Sequence, residues 1–277
     1  MTHTEDELTA FGDWERAVWE QRAGAYAASI GDLTRGSIPA LLDAAGVGPD
    51  VRVLDVGTGP GFVASAALAR GAKVRAVDQS DAMVSLARET GVDAVQSGVE
   101  DLPFEDGSFD AVVAGYVLNH LPRPSAGVAS LRRVLAPGGR LAMTVWDADN
   151  PALGLVAPVV ASLGLTGAVP PGPDAHLFSS SAELESLLAG WDDVQVTRPR
   201  WVLTVEPGAW FDAVADGTPR TGAVLATAGP AARARAREAY VELARSSYGV
   251  GAASGAGDGL VALPAAAVLV SARRPGV

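Results

Sequence analysis

Cysteine is absent from the 277 residues, which removes disulfides, thiolate metal sites and cysteine nucleophiles together. Histidine is scarce: His3, His120 and His176 are the only three, leaving little from which to build a zinc or iron site, so no metal is expected. Long apolar runs are missing as well. None approaches the roughly 18 uninterrupted apolar residues of a membrane span, and the opening MTHTEDELTAFGDWER is acidic where a signal peptide is basic and then apolar. A soluble, cytoplasmic protein is expected. Positive charge is in deficit, with 21 basic against 32 acidic residues and a net charge of −11, so the average field repels phosphate backbones and anionic lipid. Neither nucleic acid nor a membrane is an expected partner; a small molecule is, with the chain a monomer or homodimer. The one basic run, Arg233, Arg235 and Arg237 in PAARARAREAY, reads as a solvated helix face.

What is present is apolar: 48% of the chain, enough for a large core in one elaborated domain or a domain with a lid. From about Phe11 to Ile30, Trp14, Val18, Ala25 and Trp19, Ala23, Tyr26 recur at helical steps, predicting a first helix. A second is predicted in IPALLDAAGV, with proline early and glycine late. From Val51 to Trp146 short branched apolar runs (VRVLDVG, KVRAVD, DAVQS, DAVVAGYVL, RLAMTVW) alternate with helical ones, the signature of βαβ units and a doubly wound α/β sheet. After Trp146 the pattern loosens. Asn150-Pro151 opens a helix through Val160, and LTGAVPPGPDAH reads as a mobile loop. Ser180 and Glu183 form a capping box for SAELESLLAG. WDDVQVTRPRWVLTV reads as extended with Pro199 at a bend or edge, GAWFDAVADG through RARAREAYVELARSS as a helical insertion, YGVGAASGAGDG as flexible, and AAAVLVSARR as the last strand.

The stretch VLDVGTGPGF joins a strand to a helix, and such a turn can hold a dinucleotide, hold another nucleoside, or only connect. Gly57, Gly59 and Gly61 give GxGxG; the dinucleotide fingerprint GxGxxG would need its third glycine at Phe62. Asp55, two residues before the first glycine, is awkward beside a pyrophosphate but suits a cationic amino group. Asp78 ends the second strand, where a carboxylate can accept both hydroxyls of a ribose. Ser80 or Asp81 caps the next helix and brings Met83 over the pocket as a soft wall for a purine.

With these features the chain resembles the class I S-adenosylmethionine-dependent methyltransferases, in the branch of the ubiquinone and menaquinone biosynthesis enzymes. SGVEDLPFEDGSFDAVV, GYVLNHLPRP and LRRVLAPGGRLAMTVW resemble further family blocks in the right order over residues 51 to 147. The resemblance implies a mostly parallel seven-stranded, Rossmann-like sheet: an N-terminal helical lid over residues 1–50, a cofactor-binding core over 51–147, and remaining strands with substrate-binding helical insertions over 148–277. It implies S-adenosylmethionine as cofactor. Gly57, Gly59 and Gly61 would line its methionine portion, Asp55 its amino group, Asp78 and the adjoining Gln79 the ribose, Met83, Val99 and Glu100 the adenine, and Gly115 or Tyr116 the ammonium through backbone. Family members often carry an acidic residue where Gly98 stands, so the adenine contact departs here.

A sulfonium methyl is already activated, and the protein mainly aligns a nucleophile with it, worth about 7–11 kcal/mol. A base helps where the nucleophile is a hydroxyl or protonated amine. The candidates beyond the fourth strand are Tyr116, Asn119 and His120, with His120 the base or substrate orienter; it reads equally as a structural histidine bonded to loop backbone. Trp19 and Tyr26 share a face of the first helix, which in this family folds over the cofactor: Tyr26 would reach the cofactor and reacting groups, and Trp19 the substrate. An aromatic stripe packed on the core is the competing reading. His176 and Trp210 are further substrate candidates. Few charges accompany the aromatics outside the core, so methyl transfer to a small aromatic or heteroaromatic, indole- or quinone-like metabolite is expected, and the alanine, glycine and arginine bias fits bacterial natural-product tailoring by analogy. Two other readings stand: a noncatalytic S-adenosylmethionine-binding scaffold, to which Gly98 points, and a nicotinamide-dependent oxidoreductase, which Phe62 and Asp55 disfavour.

Overall fold

The computed structural model describes residues 3–167, 169–174, 176–250 and 259–276. Three helices come first: α1 (Glu5–Ala27), α2 (Ile30–Arg35) and α3 (Ile38–Ala44). The first helix starts earlier than its apolar periodicity suggests because Thr4 and Glu7 close a capping box, Glu7 N donating to Thr4 Oγ1 at 3.3 Å and Thr4 N to Glu7 Oε2 at 2.9 Å. It also stops short of Ile30, and α2 is a separate piece that periodicity does not resolve.

The alternating section follows as β1 (Arg52–Val56), α4 (Phe62–Ala69), β2 (Lys73–Asp78), α5 (Asp81–Glu89), β3 (Ala94–Gln96), β4 (Phe109–Gly115), α6 (Pro124–Val134) and β5 (Leu135–Trp146). The remainder contains α7 (Pro151–Gly154), α8 (Val156–Ser162), α9 (Ser181–Leu187), β6 (Asp192–Thr197), β7 (Arg200–Val205), α10 (Pro207–Gly217), α11 (Pro219–Thr227), α12 (Gly229–Tyr248) and β8 (Val261–Arg273). The helix expected from Asn150 to Val160 is thus two, divided at Leu155. Ser180 caps α9 as expected, its hydroxyl accepting from Glu183 N. Most of the stretch read as flexible, residues 251–258, lies outside the described residues.

Seven strands lie in the order β3-β2-β1-β4-β5-β8-β6, and an eighth, β7, pairs with β8 off that path. Strands β1 to β5 are mutually parallel; β8 runs antiparallel to β5, β6 and β7. One long edge of β8 serves two partners, β7 along its first half and β6 along its second, and the change falls at Pro199, which has no amide to donate to a ladder. Instead its carbonyl accepts from Ala267 N at 3.1 Å.

Strand alternation builds a core on each face of the sheet. Leu54, Val56, Val112, Leu141 and Met143 pack on one side with Leu131 of α6, and Val53, Ala111, Val113 and Ala142 on the other with Leu41 of α3 and Ala64 of α4. A third cluster joins the later helices to α2: Trp210, Phe211, Val214 and Tyr240 meet Ile30 and Leu33 of α2 and Leu263 and Ala265 of β8. This cluster packs α10 and α11 with α12 and against the N-terminal helices. The loop read as mobile is tied down along its described part: a Cβ on Gly172 would overlap Phe11 of α1, and the Pro173 carbonyl accepts from Arg220 at 3.0 Å.

Candidate functional site

Strand order reverses between β1 and β4, so the carboxyl ends of these neighbours flank a crevice. Gly57, Gly59 and Gly61 fill the turn there at φ of 65°, 54° and 85°, a region that costs other residues about 1–2 kcal/mol. Packing separates the three. A Cβ on Gly57 would overlap Val117, and one on Gly61 would press on Ala87, but at Gly59 the nearest atoms would be Tyr26 Cε1 at 3.8 Å and Met83 Sδ at 4.0 Å. Gly59 is therefore the turn residue with room in front of it.

Asp55 and Asp78 flank this turn, both buried. Oδ2 of Asp55 accepts from Thr58 Oγ1 at 2.7 Å and Ala64 N at 3.0 Å, while its Oδ1 is buried without a partner. Burial lifts the Asp55 carboxyl to about 7. A cationic amino group is the donor that would satisfy Oδ1 and restore the charged form. Asp78 accepts the Gly59 amide on Oδ2 at 2.9 Å and the Ser80 amide on Oδ1 at 3.0 Å. An ionised carboxylate offers about four acceptor positions, so capacity remains for hydroxyl donors. Burial pushes this carboxyl up as well. The acceptor chemistry of these two groups fits the amino and ribose ends of S-adenosylmethionine.

The other residues expected at the cofactor lie on α5, at the end of β4 and in the turns after β2 and β3. Met83 is buried, and its amide donates to Ser80 Oγ at 3.2 Å. Gln79 follows Asp78, its carbonyl taken by the Gln96 amide at 3.1 Å. Val99 and Glu100 lie in a short 3-10 turn, with Glu100 3.9 Å from Arg123. A Cβ on Gly98 would meet nothing within 4 Å, so packing does not demand glycine there. Gly115 ends β4.

Helix α1 docks on the crevice through carboxylates that periodicity alone does not single out. Glu20 accepts from Ser80 Oγ at 2.7 Å and Ala82 N at 3.2 Å, and the Ser80 hydroxyl holds its carboxyl below the usual range. Glu15 is fully buried, its Oε2 3.0 Å from His120 Nδ1. Nε2 of His120 lies 3.1 Å from Asn119 Nδ2, and Trp19 meets the imidazole and Tyr26 edge to face at 5.1 and 5.4 Å. His120 is thus held by side chains of α1 and of its own turn. From the insertion, Arg220 donates to the Asn119 carbonyl at 3.4 Å and lies 5.2 Å over the Phe11 ring. Neither Glu15 nor Arg220 is marked by a local signal in the sequence.

The structure places three of the substrate candidates as follows. Tyr116 is buried at φ 60°, stacked on Trp146 at 3.9 Å, and its hydroxyl donates to Ser37 Oγ at 2.8 Å, so both its ring and its polar tip are engaged within the protein. Trp210 belongs to the third core cluster, and its Nε1 donates to the Ala152 carbonyl at 2.6 Å. His176 is exposed, and no hydrogen bond or ring contact among the described residues joins its side chain to the His120 group.

Comparison with known proteins agrees with this layout. Residues 54–143, which run from β1 into β5, match the family model described as a methyltransferase domain. A ubiquinone biosynthesis O-methyltransferase of Xanthomonas oryzae pv. oryzae is 36% identical over 160 residues, covering 54% of this chain and 64% of that one. A demethylmenaquinone methyltransferase of Clavibacter sepedonicus is 39% identical over 110 residues, 38% of this chain and 44% of that one. The chain therefore spans less than two thirds of the length of the curated relatives it matches. A solved structure from Bacillus halodurans C-125, assigned as a methyltransferase, shares the fold at a TM-score of 0.55 and 22% identity, covering 86% of this chain and 98% of that one.

Proposed function

We propose that this chain, whose residues 54–143 form a methyltransferase domain of the class I type, transfers a methyl group from S-adenosylmethionine to a small aromatic or heteroaromatic metabolite. The observation that carries the reading is the pairing of a buried, half-unsatisfied carboxylate, Asp55, with a second, Asp78, across a glycine turn whose middle residue has room in front of it. When bound, the cofactor supplies an already activated methyl on a sulfonium.

Asp55 would hold the amino group, the Gly57–Gly61 backbone the methionine portion, and Asp78 with Gln79 the ribose. Met83, Val99 and Glu100 would line the adenine, and backbone at Gly115 would approach the methionine ammonium. Tyr26, beside Gly59, would close the pocket from α1. In this reading residues 1–50 act as lid, 51–147 as cofactor-binding core, and 148–277 as the substrate-binding portion. Trp19 and His120 supply ring faces and edges suited to a flat acceptor such as an indole- or quinone-like ring, each contact worth about 0.5–1.5 kcal/mol. Docking α1 through Glu15 and Glu20 excludes water from the reacting groups. His120, with Asn119 beside it, orients the acceptor and takes its proton.

A thermal-shift comparison tests the cofactor class. A ligand that binds only the folded state at about 100 times its Kd adds roughly 2.7 kcal/mol of stability. S-adenosylmethionine and S-adenosylhomocysteine are expected to raise Tm while a nicotinamide dinucleotide does not; the reverse pattern would replace transfer of methyl by transfer of hydride.

A further inference from the structure

Glu15 presents a problem that lid docking alone does not answer. It is fully buried on α1, it receives one hydrogen bond, from His120 Nδ1, and its Oε1 is buried without a partner. An apolar side chain of similar volume would dock the helix without the cost of desolvating a carboxylate. What the carboxylate adds is direction: it only accepts, so the proton of a neutral imidazole facing it sits on Nδ1. Nε2 then carries the one electron pair the ring can offer, which accepts from the Asn119 amide at 3.1 Å and turns to the acceptor's proton when the acceptor displaces that amide. Asn119 in turn keeps a buried, unpartnered Oδ1. Arg220 of α11 is the cation beside this group; burial holds its guanidinium below the usual range, and the nearby Glu15 carboxylate acts in the opposite sense.

We propose that Glu15 is a positioning residue: it fixes His120 in the Nδ1–H tautomer and so leaves Nε2 as the base for an acceptor that sheds a proton as it is methylated. The proposal rests on the transferase reading. The acceptor's O–H or N–H bond breaks, its proton passes to Nε2, and the electron pair left on oxygen or nitrogen forms the new bond to the methyl carbon. The resulting imidazolium lies between Glu15 and the acceptor, paired with the one buried carboxylate that touches it. Because Glu15 belongs to α1, the base is set only while that helix is docked, which couples proton removal to closure of the site.

The chain has only three histidines, so the imidazole nitrogens of the full-length protein labelled with 15N-histidine can be resolved by NMR, with His120→Asn identifying the signal. At a pH where the imidazoles are neutral, wild type is expected to show Nδ1 protonated and Nε2 bare. Glu15→Leu is expected to move the proton to Nε2. Glu15→Gln, whose amide can donate or accept, is expected to give a mixture and serves as the near-isosteric variant if leucine unfolds the lid. An Nε2–H signal in wild type, or a tautomer unchanged in both variants, would overturn the proposal. Affinity for S-adenosylmethionine measured on the same samples tests the transferase reading separately: no binding by wild type overturns that reading whatever the tautomer.

Discussion

The Gly59 amide donates to Asp78 Oδ2 at 2.9 Å, tying the middle of the glycine turn to the end of the neighbouring strand. That bond sets the distance between the backbone that would face a methionine tail and the carboxylate that would face a ribose. It also makes Gly59 the position where added bulk tests the pocket with least damage elsewhere, since a Cβ there would meet no atom closer than 3.8 Å.

Gly59→Ala is expected to fold, at a cost of about 1–2 kcal/mol for its positive φ, and to bind S-adenosylmethionine more weakly because the new methyl enters the space between Tyr26 and Met83. Gly48→Ala, outside the left-handed region and with open space, is the control and is expected to leave affinity unchanged. Equal affinities in both variants, read by calorimetry, would move the cofactor away from this turn.

Asp55 makes binding depend on pH. Its folded-state value is about 7 against 3.8 for a free carboxyl, so between these the folded chain holds a proton the unfolded chain has released, and this group's contribution to stability falls as pH rises through that window. An ammonium ligand favours the charged form and expels the proton. Titration with S-adenosylmethionine near pH 7, in two buffers of different ionisation heat, is expected to show proton release and an affinity that rises with pH. Binding without proton release would remove Asp55 from the amino group.

His120→Ala should leave cofactor affinity intact and lower turnover, within the ~10²–10⁴-fold that a placed base contributes. Single-turnover measurements with an accepted substrate read this directly, and unchanged turnover would take His120 out of the chemistry.

Trp210→Ala should act on stability. The side chain is buried among Phe211, Val214 and Tyr240 and its indole donates to Ala152, so truncation is expected to cost about 3–5 kcal/mol in denaturant unfolding. A stable variant with altered substrate preference would instead return Trp210 to the acceptor pocket.

The sheet is legible in the sequence because short branched apolar runs alternate with helices at regular spacing, and the glycine turn because its conformation leaves few other residues available. The break at Pro199 is legible for the same kind of local reason: a missing amide. Glu15, Glu20 and Arg220 are not. Each acts through a partner 60 or more residues away, Glu15 through His120, Glu20 through Ser80 and Arg220 through Asn119, and nothing local marks those pairings. The surroundings of Trp210 and Tyr116 are not legible either, since an aromatic with a polar tip reads the same in sequence whatever that tip meets, and here the tips bond to Ala152 and Ser37.

The most direct measurement is calorimetric titration of the wild type and Asp78→Ala with S-adenosylmethionine, with thermal midpoints recorded alongside to confirm folding. Saturable binding by the wild type is expected, weakened in the variant by roughly 10- to 150-fold for each charge-assisted bond lost. No binding by wild-type protein free of copurified ligand, or equal dissociation constants in the two proteins, would contradict the assignment of this crevice to the cofactor.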